Sequence, residues 1–387
     1  MPEDVLPADS PPPEQKAPTL TKAPPSDRKF PCSKCGARLD FDPTSRSLKC
    51  PYCGHVEEIK PDKVGVQERD YEEYLSKLAG KRTKLEGRSS QVRCTGCGAV
   101  VLLEDKVATD KCPFCGTHLE NQPEAAEDMI PPESVLPFRV DIRKAREEFA
   151  TWIKSRWFAP SALKKMANLG QLSGIYVPYW TYDAMTYTHY TGQRGIDYTD
   201  TETYYETDAQ GNQVARTRTV VRTMWYPCSG EVQHFFDDVL VCASKSLPDN
   251  MVGSLAPWDL KRLVTYKSEY LSGFKTERYA IDLKRGFGIA REIMKEHIHQ
   301  LCMQDIGGDH QIVNSMQSQY VGVTFKHILL PLWLASYRYY DKVYRVMVNA
   351  RTGNVVGERP YSWVKITALV LLIVAIVGVI IFLASRH

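Results

Sequence analysis

The sequence predicts a multidomain chain: two small tandem β modules, an α+β body of two helix-plus-antiparallel-sheet halves, and one C-terminal apolar helix. Three observations predict it. A quartet of cysteines occurs twice, as Cys32-x-x-Cys35 with Cys50-x-x-Cys53 and as Cys94-x-x-Cys97 with Cys112-x-x-Cys115. Residues 133–360 switch between helical and two-residue hydrophobic periods. The chain then runs for 20 residues, Ile366 to Ser385, without a charge.

The quartets are copies of one unit. Each cysteine of the second lies 62 positions after its counterpart, and both inter-knuckle gaps, Gly36 to Lys49 and Gly98 to Lys111, are 14 residues. The flanks repeat as Lys49-Cys50-Pro51-Tyr52-Cys53-Gly54 and Lys111-Cys112-Pro113-Phe114-Cys115-Gly116. Two residues between cysteines let one tight turn aim both sulfurs at one ion. A glycine after each knuckle (Gly36, Gly54, Gly98, Gly116) suits a backbone of positive φ. Two knuckles make a closed four-thiolate site, the donor set of structural Zn²⁺. The prediction is two tandem zinc ribbons with two Zn²⁺ per chain, held by Cys32, Cys35, Cys50 and Cys53 and by Cys94, Cys97, Cys112 and Cys115. Redox-active iron, a dithiol pair or disulfides are the alternatives, and four CxxC units fit a reducing compartment better than disulfides. Four thiolates leave no open coordination position, so the sites read as structural rather than catalytic.

A net charge of +3 and a pI of 8.2 are too balanced to indicate nucleic-acid binding by bulk electrostatics. Eleven cysteines leave Cys228, Cys242 and Cys302 outside the quartets, in apolar or strand-like contexts that read as packing positions. The start, Met1-Pro2-Glu3-Asp4, has no apolar run of a secretory signal. Residues 1–25 hold eight of the 24 prolines, so 1–27 reads as a disordered Pro-rich arm.

Residues 28–60 form the first ribbon, with a hairpin turning at Asp42-Pro43-Thr44-Ser45. Residues 61–90 are a charged helical linker. Its helix, 66–86, places Tyr71, Tyr74, Leu75 and Leu78 on one face and ends in Lys77, Lys81, Arg82, Lys84 and Arg88. That end is a solvated surface or, alternatively, a phosphate-contacting patch. Residues 91–120 form the second ribbon, with Val100 to Leu103 as a strand, and 121–132 is an acidic linker and domain boundary. In the body, 133–360, a helix spans Val140 to Trp157 with Ala145, Phe149, Trp152 and Ile153 on one face. Strands are expected over 174–190, over 199–226 around a turn at Asp208-Ala209-Gln210-Gly211-Asn212, and over 232–242, helices over 258–272 and 283–304, and a last β region from Ile328 with turns at 341–342 and 349–353. Val177-Pro178-Tyr179-Trp180 and Leu330-Pro331-Leu332-Trp333 form a second, weaker repeat, which suggests the two halves.

Residues 364–385 are predicted as a transmembrane helix, since 20 uncharged residues span roughly 30 Å, the thickness of a bilayer core. Tyr361 and Trp363 fall where interfacial aromatics belong. Arg345, Arg351, Arg359 and Lys365 precede the segment and only Arg386 follows it, which places the bulk of the chain on the cytoplasmic side and the C-terminus across the membrane. The expectation is a single-pass, tail-anchored protein that meets the lipid bilayer through 366–385.

Catalytic motifs are missing from the sequence. There is no GxxxxGK[ST], no G-x-S-x-G and no H-E-x-x-H. The cluster His297, His299, Cys302, Asp305 and His310 reads as helix packing around a half-buried histidine. Tyr176, Tyr179, Trp180, Tyr182 and Tyr187 line either a groove or, as strand propensity favours, the core.

With its ribbons, Cys50-Pro-Tyr-Cys53-Gly54, the Gly174-Ile-Tyr-Val-Pro-Tyr-Trp180 run, Tyr270-Leu-Ser-Gly-Phe274 and Leu330-Pro-Leu-Trp333 with Thr352-Gly353, the chain resembles a loose family of bacterial zinc-ribbon membrane proteins. Members are often labelled primosomal helicase-like or TFIIB-type zinc-ribbon proteins, and the missing nucleotide-binding loop speaks against helicase activity here. Some relatives resemble partners of PspA-type membrane-stress proteins and SPFH-domain proteins, which implies docking at a membrane. The expected function is therefore that of a non-enzymatic adaptor that docks a protein partner, PspA-like or SPFH-like, at the cytoplasmic membrane face. The alternatives are a membrane-tethered nucleic-acid-binding protein and an electron-transfer protein with iron in the quartets.

Overall fold

The computed structural model describes residues 30–60, 65–78, 90–103, 109–120, 124–125, 130–160, 172–207, 211–339 and 342–384. The Pro-rich arm and the basic residues Lys81, Arg82, Lys84, Arg88 and Arg386 lie outside them. The first cysteine module holds β1 (Asp40–Asp42), β2 (Ser47–Lys49) and β3 (Val56–Glu57) in one antiparallel sheet. Then follow β4 (Arg69–Asp70), α1 (Tyr71–Leu78) and the second module: β5 (Ser90–Arg93), β6 (Val100–Leu103), β7 (Thr109–Lys111), β8 (His118–Glu120) and β9 (Glu124–Ala125). The body continues with β10 (Ser134–Val135), α2 (Ile142–Lys154), β11 (Ser173–Thr207), β12 (Gln213–Cys242) and the single turn α3 (Asp249–Val252). It closes with β13 (Val264–Thr265), β14 (Lys275–Glu277), α4 (Leu283–Ile306), β15 (His310–Tyr339), β16 (Lys342–Asn349), β17 (Val355–Gly357) and α5 (Trp363–Ala384).

Three very long strands, in the order β12-β11-β15, make the frame. β11 alone has 35 residues, roughly 110 Å of extended chain. All three pair antiparallel, with Tyr179 opposite Cys242 on one side and Ile328 on the other. Beyond Gly195 only β12 accompanies β11 among the described residues, so Ile196–Thr207 and Gln213–Met224 stand out as a two-stranded arm. Ion pairs Arg218–Glu202 and Arg216–Glu206 cross it in the open.

The Pro-x-Trp repeat is a local two-fold of this sheet. The motifs sit on neighbouring strands, with Val177 opposite Leu330. The Trp180 indole donates to the Ile281 carbonyl at 2.8 Å, and the Trp333 indole to the Val140 carbonyl at 2.8 Å. Each acceptor precedes an aspartate N-cap: Asp141 accepts from the Lys144 amide and Asp282 from the Arg285 amide, both at 2.8 Å. Phe138 meets Trp333 at 5.1 Å as Tyr279 meets Trp180 at 5.2 Å. Ser134 runs parallel to Ile328 as Lys275 runs parallel to Ile175. Each half thus lends its helix to the other half's tryptophan, and the signature is Asp-Ile-Arg-Lys-Ala over 141–145 against Asp-Leu-Lys-Arg-Gly over 282–286.

Strand alternation splits the core. On one face Ile175, Val177, Tyr179, Leu330 and Leu332 pack with Val92, Val101 and Phe114 of the second module. On the other, Tyr176 and Trp333 pack with α2 and with Leu39, Phe41 and Leu48 of the first module. Further along that face, Trp180, Tyr182 and Phe325 pack with α4 and Tyr71. Where Asp183 faces the positive-φ Asp238, a β-bulge interrupts the β11–β12 ladder. There the buried Lys326 ammonium lies 2.7 Å from Asp238 and 2.9 Å from Glu68.

Several elements differ from the sequence reading. Residues 258–272 form short 3₁₀ turns around β13 instead of a helix. β15 begins at His310, well before Ile328: His310–Lys326 pairs with β11 and mixes Gln, Asn and Ser with core-facing Val313, Met316, Val323 and Phe325, so it carries no continuous apolar run. The described helix after the first module is Tyr71–Leu78, and its aromatic face is seated: Tyr71 is buried against Phe287 at 4.7 Å. The segment expected as a free linker ends in buried Ile130, whose amide donates to the Tyr279 hydroxyl and whose carbonyl lies 2.8 Å from His327 Nδ1. β6 joins the body sheet through β14. The modules and body thus share cores across the boundaries expected at 60, 120 and 133.

Candidate metal centres

All four knuckles repeat one backbone device. The glycine amide donates back to the first cysteine's carbonyl: Gly36 to Cys32, Gly98 to Cys94 and Gly116 to Cys112 at 2.8 Å, and Gly54 to Cys50 at 3.0 Å. This turn needs left-handed glycines, and φ is +70°, +71°, +75° and +74° in chain order. The turns point the sulfurs inward. Cys32 Sγ lies 3.6 Å from Cys53 Sγ and Cys35 Sγ 3.5 Å from Cys50 Sγ. In the second quartet Cys94–Cys115 is 3.4 Å and Cys97–Cys112 is 3.7 Å.

These spacings define what the quartets can hold. They are far beyond a disulfide bond, and all eight cysteines are free. A tetrahedral thiolate site with metal–sulfur bonds of about 2.3 Å has edges of about 3.8 Å, close to the distances present. Within each quartet the four sulfurs lie within 4.8 Å of one another, so each group could hold a metal ion. The thiol protons are shared unevenly. Cys97 is pulled down to about 5, chiefly by its hydrogen bond with Cys112 and against the effect of burial. Cys50 is pulled down to about 7, first by the Cys53 amide. At Cys35 the Ala37 amide pulls the thiol down, but the other thiols outweigh it and push it up to about 12. A divalent cation would remove that inequality by taking all four as thiolates.

The quartets differ in exposure. Cys35 and Cys53 are open to solvent, whereas Cys97 and Cys115 are half-buried. The second quartet is roofed by the body, where Arg345 Nε donates to the Phe114 carbonyl at 2.8 Å. The first is seated on Tyr270–Phe274. The Phe41 ring meets Tyr270 at 5.6 Å, its amide donates to the Ser272 carbonyl at 3.0 Å, and the Ser272 hydroxyl returns a bond to the Leu39 carbonyl. β14 begins directly afterwards and pairs Thr276 with Leu102 of the second module. One continuous segment, 270–277, therefore touches both modules. The Tyr270-Leu-Ser-Gly-Phe274 motif is explained by this docking; only Gly273 in it signalled an unusual backbone.

Among the described residues, the side chains of the other clusters are engaged elsewhere. Asp183, Asp237 and Asp238 converge, but the Lys326 ammonium already occupies the cation's place. His297, His299, Cys302, Asp305 and His310 are not brought together: His297 packs on His234 at 4.7 Å, Asp305 accepts from Tyr190, and His310 pairs with Asp197. Cys302 is buried in the core, and Cys228 and Cys242 pack beside it or its neighbour core. Tyr176, Tyr179, Trp180 and Tyr182 are core residues, and Tyr187 is half-buried.

At the other end, α5 has 22 residues and is long and apolar enough to cross a membrane. The chain is 24% identical over 354 residues to the uncharacterized protein YdjG of Bacillus subtilis (strain 168), a match covering 88% of this chain and 92% of that protein. No family model and no solved structure matches the chain.

Proposed function

We propose that the chain is a non-enzymatic adaptor: two zinc ribbons on an α+β body, anchored by α5 as a single transmembrane helix, with the bulk on the cytoplasmic side. The observation that carries this reading is the pair of four-thiol groups at tetrahedral spacing, each built into the core of one body that also carries the apolar helix. Zn²⁺ is the ion these donors fit best, because a closed set of four thiolates suits a structural ion. Bound there, it would fix the knuckles as a recognition surface, with Cys35 and Cys53 at its open side. The resemblance to partners of PspA-type and SPFH-domain proteins suggests a protein of that kind, in the membrane-stress response, as what the adaptor docks.

The test is purification of the full chain from detergent-solubilised membranes, with mass spectrometry of what accompanies it and elemental analysis of the metal. The expected result is two zinc ions per chain and a stoichiometric protein partner that is lost when Cys35 and Cys53 are replaced by serine. Iron in the quartets would favour electron transfer. Nucleic acid that co-purifies and dissociates steeply with salt would favour the tethered nucleic-acid reading. Either outcome overturns the adaptor.

A further inference from the structure

The C-terminal helix leaves the body tied at its first turn. The Ser362 amide donates to the Phe158 carbonyl at 2.8 Å. The Lys365 ammonium donates to the Trp157 carbonyl at 3.1 Å and the Ala159 carbonyl at 2.7 Å. Lys365 is the last charge before the uncharged run that begins at Ile366. The backbone of Trp157 is therefore within one hydrogen bond of the cation that marks where the apolar stretch starts.

The side chain of Trp157 is 75% exposed, beside the helix entry where Trp363 is 80% and Tyr361 58% exposed. The paired core tryptophans Trp180 and Trp333 behave oppositely, buried with satisfied indoles. An indole is an apolar ring with one donor, and its favoured place outside a core is the boundary between hydrocarbon and headgroups. The Arg359 guanidinium lies 5.4 Å over Tyr361, while the Arg156 guanidinium turns away onto Trp152 at 5.0 Å. Exposed aromatic rings grouped at the entry to an apolar helix, with Lys365 and Arg359 beside them, fit a phospholipid interface better than bulk water.

We propose that Trp157 is a second membrane contact, seated in the headgroup region of a phospholipid bilayer beside α5. With the helix it makes a two-point attachment, which holds the body at a set angle to the membrane. The inference rests on reading α5 as transmembrane.

The test uses the full chain in phosphatidylcholine–phosphatidylglycerol vesicles whose acyl chains are brominated close to the headgroup, with tryptophan emission as readout. Trp157→Phe and Trp363→Phe are compared with the parent; both side chains are exposed, and unchanged thermal unfolding would show that both variants fold. If Trp157 and Trp363 sit in the interface alike, each substitution removes about half of the lipid-quenched emission. If only Trp363→Phe reduces it, Trp157 is outside the interface and the proposal fails while the transmembrane reading stands. If neither residue is quenched by lipid, both fail. Protection of Trp157 from acrylamide that follows protein concentration instead of lipid would mean a second copy covers it, and would also overturn the proposal.

Discussion

The Ser272 hydroxyl donates to the Leu39 carbonyl at 2.6 Å in a buried position, so a body residue completes the backbone of the first cysteine module. Beside it Gly273 holds φ +86°, and a Cβ there would lie 3.2 Å from Asp40. Gly273→Ala should cost about 1–3 kcal/mol through left-handed strain, and Ser272→Ala about 1–3 kcal/mol through an unmet buried carbonyl. The module and body share a core, so Cys50→Ser should lower the body's thermal transition as well as unfold the module. Calorimetry reads this directly; a body transition unmoved by Cys50→Ser would show that the two fold independently.

Unequal exposure of the quartets predicts an order of metal loss. A chelator reaches Cys35 and Cys53 from solvent, whereas the second quartet lies under Arg345 and the body. If the quartets hold Zn²⁺ as proposed, its release followed with a colorimetric chelator should be biphasic. Cys35→Ser should abolish the fast phase and Cys97→Ser the slow one. A single phase at one rate would mean that the burial difference does not protect the second ion.

Two glycines of α4 should respond with opposite signs. A Cβ at Gly286 would stand 2.5 Å from the Tyr182 hydroxyl and 2.8 Å from Trp180 Cδ1, whereas at Gly288 nothing lies within 4 Å. Gly286→Ala should destabilise by about 1–3 kcal/mol through overpacking. Gly288→Ala should stabilise by about 0.5–1 kcal/mol by removing backbone entropy from a helix interior. Equal effects in urea titrations would contradict the close helix–strand contact at Trp180.

The quartets were legible because ligand spacing is local: four knuckles need only five residues each, and glycine marks the turn. The same holds for α2, α4 and the turn at Asn349–Gly353, where capping aspartates and helical periodicity are written within one element. The docking of the modules was not legible. Ser272 and Leu39 are far apart in sequence, and nothing in either residue announces the other. The long strands were cut short for a related reason. Their distal parts mix Thr, Gln and Ser with a few core-facing residues such as Tyr190, Val313 and Met316, so the apolar alternation thins out along each strand. Lys326 carries no signal in the sequence because its partners, Glu68, Asp183 and Asp238, come from three separate segments.

Lys326 should make stability pH-dependent once removed. Burial pushes the Asp183 carboxyl up to about 6 even with the ammonium present. A raised carboxyl contributes stability that is fully present below its unfolded value and is lost as pH rises through the folded one. Lys326→Met takes away the compensating charge, raises that carboxyl further and leaves Asp183 and Asp238 facing each other. The expected cost is about 3–5 kcal/mol at pH 8, shrinking as pH falls toward 6, because Asp183 takes up its proton at a higher pH in the variant than in the parent. Denaturant unfolding of parent and variant at pH 5 and pH 8 measures the difference. A deficit of the same size at both values would mean that Asp183 is not the group left unpaired.

The side of the membrane on which the cysteines lie decides which partners can reach them. Of the four cations on the N-terminal side of the uncharged run, three bond into the fold: Arg345 holds the Phe114 carbonyl, Arg351 holds the Pro137 carbonyl beside Asp259, and Lys365 holds the Trp157 and Ala159 carbonyls. Arg359 and Lys365 lie at the helix entry, where retention of positive charge on the cytoplasmic side acts most strongly. The thiols point the same way. Eight free cysteines at 3.4 to 3.7 Å contacts would be drawn toward disulfides in an oxidising compartment, in competition with the metal. The expected outcome is that protease added to intact cells leaves the modules and body whole, and that permeabilisation exposes them. Cleavage of the modules in intact cells would place them outside and remove every cytoplasmic partner from consideration.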